Sequence, residues 1–198
     1  MKVNNLLKSV SASLEDRELL NTLIILGCKC PTLVRLNVTG NDSDRVINKC
    51  IQNVLEHAYG DKNIFPRAQV KQSSHSTFLK GNVERYHASV IAAIAKRIDM
   101  PEKIRTNRYV EALIAIYQTY LLLMETDAPG AVLSFNDMLE TILGLSNGDV
   151  STIRCNNCSA TTVHNQKRGL QYKCIACQAH QHPQFSAAYL QNQRRKVC

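Results

Sequence analysis

The 198-residue sequence predicts a mainly α-helical fold followed by a small β-containing module built around four cysteines. Three observations predict it. Apolar residues recur at three- and four-residue steps through most of residues 13–148, the period of amphipathic helices. The texture changes at Asp149, where β-branched Val150, Thr152 and Ile153 lead into the first of two cysteine pairs. The pairs are Cys155-x-x-Cys158 and Cys174-x-x-Cys177, separated by fifteen residues.

The elements follow in order. Ser13 and Asp16 have capping-box spacing, and Leu14, Leu19, Leu20, Leu23 and Ile24 continue at helical intervals to Gly27, giving a helix over 13–26. Pro31 suits the first turn of a short helix carrying Leu33, Val34 and Leu36, and Thr39-Gly40-Asn41 reads as a turn. Asp42 or Ser43 is placed to cap an amphipathic helix over 43–59. Its apolar face is Val46, Ile47, Cys50, Ile51, Val54 and Leu55, its polar face Arg45, Asn48, Lys49, Gln52 and Asn53, and Gly60 closes it.

Residues 60–76 have little periodicity and read as a long connection with the character of a recognition loop. Phe78, Leu79, Val83, Tyr86, Val90, Ile91 and Ile94 mark a long helix ending near Ile98, and Pro101 fits the start of a short helical turn. Thr106 caps the next helix, whose Tyr109, Val110, Leu113, Ile114, Ile116, Tyr117, Tyr120 and Leu121 are apolar on more than one side. Such a helix is buried or meets a partner, and this excess suggests obligate assembly. Pro129-Gly130 breaks the chain, and Ser134 with Asp137 makes a second capping box for a helix carrying Phe135, Met138, Leu139, Ile142 and Leu143. Thr161–Val163 and Leu170–Tyr172 then bracket Asn165–Gly169 as arms of a short hairpin between the cysteine pairs. The expected organisation is a helical domain over 1–148, a four-cysteine ribbon over 149–180 and a basic tail over 181–198.

Composition narrows the function. The longest apolar runs, such as Leu121–Met124 and Leu23–Leu26, fall far short of the roughly 20 residues that span a bilayer, so no membrane association is expected. Glu15, Asp16, Arg17 and Glu18 interrupt any secretory h-region, which points to the cytoplasm. In that compartment thiols stay reduced, and eight cysteines favour metal binding over disulfides. The net charge of +8 is unevenly spread: residues 1–150 carry +1, and residues 151–198 carry seven basic residues and no acidic one. Four thiolates around one divalent ion would leave that quarter at about +5, a polyanion-binding signature.

The cysteine spacing is that of a structural zinc ribbon. Two residues between ligands let one tight turn aim both sulfurs at the same ion, and Cys155, Cys158, Cys174 and Cys177 together complete a tetrahedron around one Zn2+ with no open position. Metal binding then supplies the folding energy of a module too small to bury a core. Cys28-Lys29-Cys30 has the look of a redox pair, but Cys28 and Cys50 sit near apolar positions, where a thiol is usually buried and inert. His180 and His182 are either substitute ligands or solvated side chains.

Residues 30–59 have the order helix, glycine-containing turn, helix of a helix-turn-helix. Arg45, Asn48, Lys49 and Gln52 then face outward, and such residue types read base edges; the same face also suits an ordinary bundle helix. Lys167 and Arg168 at the hairpin tip, Lys173 beside the second cysteine pair, and Arg194, Arg195 and Lys196 in the tail offer phosphate contacts, or simply solvated charge. No phosphate-binding glycine loop, zinc-protease His-Glu pair or nucleophile elbow is present, and the deaminase His-x-Glu partner is missing, so no enzyme is expected.

Leu26–Gly40 (LGCKCPTLVRLNVTG), the helix from Ser43, His87-Ala88-Ser89, Tyr117–Thr126 (YQTYLLLMET) and the cysteine quartet, taken in this order and spacing, resemble the FlhC family, the zinc-containing subunit of the bacterial flagellar master transcription activator. The resemblance covers roughly residues 18–180. It implies a transcription activator that acts with an FlhD-like helical subunit in a hetero-oligomer, contacts double-stranded promoter DNA and recruits RNA polymerase. It also implies zinc ligation by the four cysteines and a helix-turn-helix-like segment at about 30–59. Flagellar members carry a Pro- and Trp-containing stretch after the second helix. This chain has Ile64-Phe65-Pro66-Arg67 and no tryptophan, which inclines the resemblance towards relatives that activate conjugative-transfer genes. The competing expectation is a zinc-ribbon adaptor that binds only protein.

Overall fold

A computed structural model describes residues 14–40, 42–62, 79, 81–98, 100–101, 106–126, 132–165, 174–175 and 177. Among them the order is α1 (Leu14–Ile25), α2 (Cys30–Arg35), α3 (Asp44–Tyr59), α4 (Asn82–Arg97), α5 (Asn107–Thr126), α6 (Phe135–Ser146), β1 (Val150–Arg154) and β2 (Thr161–Asn165). The described chain is mainly helical, with a small two-stranded sheet towards its C-terminal end. It divides into two compact units, Met1–Val70 with Met100–Ala115 and Lys71–Asp99 with Ile116–Cys198. No helix among the described residues is long and apolar enough to cross a membrane.

In the first unit α1 and α2 both pack on α3. Leu20, Leu23, Ile24, Leu33, Leu36, Ile47, Ile51 and Leu55 are buried there, each stabilising the fold by about 1.5–3 kcal/mol relative to an exposed position. Turn chemistry sets the spacing. Gly27 takes φ 89°, and the Gly27 and Cys28 amides donate to the Ile24 and Leu23 carbonyls, a Schellman closure of α1. Asn37 repeats it for α2 at φ 58°, with the Asn37 and Val38 amides donating to the Val34 and Leu33 carbonyls. Pro31 sits in the first turn of α2, as the sequence predicts. Gly60 ends α3 in the left-handed conformation. Ser43 occupies the N-cap of α3, but its side chain makes no capping hydrogen bond, and Asp44 supplies the acidic first turn.

In the second unit α4 packs on α6 and on β2, and β1 packs on α6. A buried polar network fixes the helices. The Tyr120 hydroxyl accepts the Val132 and Leu133 amides at 3.1 Å each and lies 2.7 Å from His87 Nδ1. Both acceptor sites of the hydroxyl are therefore used, and its single proton goes to Nδ1, which places the His87 ring proton on Nε2. Burial lowers the His87 pKa to about 4, so this acceptor form persists at neutral pH. Tyr117 donates to the Leu133 carbonyl at 3.2 Å, and its ring meets Phe135 edge-on at 5.2 Å. Ser134 and Asp137 form the predicted capping box of α6.

One expectation changes here. The helix foreseen from Phe78 begins at Asn82: Gly81 is its extended N-cap and Leu79 is buried ahead of it. β1 pairs antiparallel with β2, Val150 opposite Asn165 through Arg154 opposite Thr161, so the hairpin encloses the first cysteine pair. In this register the backbone groups of Val163 point away from β1. Ser89 Oγ accepts the Val163 amide at 2.8 Å, and Arg85 Nε donates to its carbonyl at 3.5 Å. α4 thus takes the outer backbone groups of Val163; the expected hairpin partner Leu170–Tyr172 lies outside the described residues.

Candidate metal centre

β1 ends at Arg154, and the chain reverses through Cys155–Cys158 before returning as β2. The reversal is held by two hydrogen bonds of 2.9 Å, Cys155 N–H to Ala160 O and Ser159 N–H to Cys155 O. Ser159 reaches it with φ 59°, a left-handed conformation that tightens the turn. Cys174 and Cys177 face this turn, and Ile175 between them is buried.

The four Sγ atoms all lie within 4.8 Å of one another. Cys155 Sγ is 3.8 Å from Cys177 Sγ, and Cys158 Sγ is 3.5 Å from Cys174 Sγ. A disulfide requires about 2.05 Å, so these are four separate thiols. A tetrahedral ion with metal–sulfur bonds of about 2.3 Å has sulfur–sulfur edges of about 3.8 Å. The cluster has the dimensions of such a cage, and it would close the coordination shell with no position left for water or substrate.

The electrostatics suit a cation. The Asn157 amide points at Cys155 Sγ at 3.4 Å, and Asn157 Nδ2 lies 3.7 Å from Cys177 Sγ. Hydrogen bonds from the Cys158 and Asn157 backbone lower the Cys155 pKa against a smaller contribution from burial. At Cys174 burial acts to raise the pKa, but the Cys177 backbone and the neighbouring thiols overcome it and bring it to about 6. Cys177 is pushed up to about 12, first by its hydrogen bond with Cys158. Cys155, Cys174 and Cys177 thus hold their protons with different strength, and a divalent ion would displace those that remain.

The first unit treats its thiols differently. Burial raises Cys28 well above the usual thiol range, and it raises Cys30 and Cys50, where the Asp44 and Asp42 charges respectively add to the effect. Cys30 donates to Asp44 Oδ1 at 3.6 Å. Protonated, buried thiols of this kind are neither ready ligands nor ready nucleophiles.

Arg45, Asn48, Lys49 and Gln52 are all exposed on α3, opposite buried Ile47, Cys50, Ile51, Val54 and Leu55. Asp44 and Glu56 are exposed on the same helix, so the surface of α3 is balanced in charge. Lys167, Arg168, Lys173, Arg194, Arg195 and Lys196 lie outside the described residues, as do His180 and His182. Sequence reasoning missed Asn157, whose amide and side chain both address the sulfurs, and the Arg85/Ser89 pair that seats the hairpin. The polar spacer Asn156-Asn157 was the visible signal for the first; a four-residue step from Arg85 to Ser89 was the signal for the second.

No known family model and no curated protein sequence matches this chain.

Proposed function

We propose that the chain is a DNA-binding subunit of a transcription activator, with one structural Zn2+ held by Cys155, Cys158, Cys174 and Cys177. The observation that carries this reading is a four-sulfur cage of tetrahedral dimensions in the quarter of the chain that holds nearly all the basic excess. Sulfur-only tetrahedral sites select zinc or iron, and a closed redox-silent site suits zinc in a structural role.

The resemblance to FlhC supplies the partner and the target in this reading. Two of its segments, His87-Ala88-Ser89 and Tyr117–Thr126, meet through His87 and Tyr120, and Ser89 accepts the Val163 amide of β2. On this reading the chain acts with an FlhD-like helical subunit at promoters of conjugative-transfer or flagellar genes and recruits RNA polymerase. The apolar excess foreseen on α5 is mostly internal: Tyr109, Val110, Leu113, Ile116, Tyr117 and Tyr120 are buried, and the exposed remainder is Leu122, at 66 %, with Leu123. That pair is a small apolar surface for a partner.

The test is duplex binding. The zinc-loaded chain, alone and with an FlhD-like subunit from the same genome, is titrated with its neighbouring promoters at several salt concentrations. Sequence-selective binding whose logarithmic salt slope falls by about 0.9 for each phosphate contact removed at Arg45, Lys49, Lys167 or Arg168 supports the reading. Stoichiometric zinc with no duplex binding in either form replaces it with a protein adaptor.

A further inference from the structure

Accessibility separates the cysteines of this protein as clearly as chemistry does. Among the described residues, Cys28, Cys30, Cys50, Cys155 and Cys174 are buried, Cys177 is half-buried and Cys158 is exposed. The exposed residue is not isolated. Its part-buried Sγ lies 3.5 Å from Cys174 Sγ, on the other cysteine turn, and a second separation of 3.8 Å joins Cys155 to Cys177. These two contacts cross from one cysteine turn to the other. Cys158 is thus the most open of the four cysteines, and its sulfur has a second thiol already in reach.

We propose that the four-cysteine centre is a hydroperoxide-responsive switch in which Cys158 is oxidised first and Cys174 resolves it, cross-linking the two cysteine turns. The inference rests on the metal-centre reading above and adds a regulated state to it. Cys158 Sγ attacks one oxygen of the hydroperoxide; the S–O bond forms, the O–O bond breaks, and an alcohol, or water in the case of hydrogen peroxide, leaves with a proton from solvent. The Cys174 sulfur then attacks the sulfenic sulfur. The S–S bond forms, the S–O bond breaks, and hydroxide departs to become water. Two thiols lose two electrons and the hydroperoxide gains them.

The consequence follows from ligand number. A Cys158–Cys174 disulfide consumes two of four donors and leaves Cys155 and Cys177, too few to retain a structural ion. Reduction restores the donors. The buried, protonated Cys28, Cys30 and Cys50 take no part, so the response is confined to one end of the chain.

The experiment uses the full wild-type chain, its zinc content first confirmed, titrated anaerobically with hydrogen peroxide. Zinc release is followed with a chromophoric chelator, and thiols are alkylated and mapped by peptide mass spectrometry with fragmentation. The expected result is about one zinc released per peroxide consumed. It includes a Cys158–Cys174 bond linking the two cysteine-turn peptides, Cys28, Cys30 and Cys50 recovered as free thiols, and re-uptake of zinc after reduction. Retention of zinc with no disulfide under excess peroxide overturns the switch. Disulfides within the turns, Cys155–Cys158 or Cys174–Cys177, overturn the assigned pairing. A chain that binds no zinc at the outset overturns the metal centre itself, which is a different failure.

Discussion

In the unit of α1–α3, Cys28, Cys30 and Cys50 are buried, and burial, with the Asp44 and Asp42 charges at Cys30 and Cys50, holds their thiols protonated. In the unit of the hairpin, four thiols face one another, with backbone amides aimed at Cys155. The first arrangement uses sulfur as a small apolar group and the second as a ligand. The same contrast runs through the rest of each unit. The first is closed by apolar packing and Schellman turns, whereas the second depends on side-chain hydrogen bonds, a buried one from Tyr120 to His87 and a part-buried one from the Val163 amide to Ser89. Residue type alone does not decide what a cysteine does here; the desolvation and the donors around it do.

The sharpest way to break the comparison is to exchange the two kinds of cysteine. Cys174→Ser is expected to abolish stoichiometric zinc binding, measured by atomic absorption after dialysis, and to unfold the hairpin's cysteine turns. Cys50→Ala is expected to keep all its zinc and to cost about 1 kcal/mol. Equal zinc loss in both variants would erase the distinction.

Next in size is a core truncation. Leu55→Ala in α3 removes a fully buried side chain and should lower unfolding free energy by about 4 kcal/mol in chemical denaturation, with zinc content unchanged.

The polar network of the second unit predicts a pH effect. His87 stays neutral in the fold down to about 4, while the unfolded chain protonates it near 6.5. Stability is therefore complete above about pH 6.5 and is lost as pH falls towards 4, by about 3 kcal/mol in all. The measurement is the difference in stability between wild type and His87→Asn across that window, because the asparagine oxygen can take the Tyr120 proton but gains none itself. A constant difference would refute the assignment.

Tyr120→Phe is a smaller perturbation. It removes the acceptor of the Val132 and Leu133 amides and the donor to His87, and Val132 lies at the surface where water can replace the bond. A loss of about 2 kcal/mol is expected in thermal or chemical denaturation.

Local signals were legible in the sequence. Gly60, Thr106 and the Ser134/Asp137 box end or begin helices where their chemistry says they should, and the cysteine spacing pointed to a cluster that the fold brings together. Non-local choices were not. β-branched Val150, Thr152 and Ile153 and the Thr161–Val163 run both read as strands, yet no periodicity says which strand pairs with which. Two side chains on α4 settle it by taking the outer groups of Val163. His87 and Tyr120 lie 33 residues apart, and a single buried polar pair leaves no repeating pattern. The start of α4 was misjudged because Leu79 is apolar and buried without being helical.

The most direct test of the account is hydrogen exchange by mass spectrometry on the zinc-loaded chain before and after chelation. The account predicts faster exchange in Val150–Asn165 and around Cys174–Cys177, with α1–α3 unchanged. Equal exchange in the hairpin with and without zinc, or a change confined to α1–α3, would contradict it.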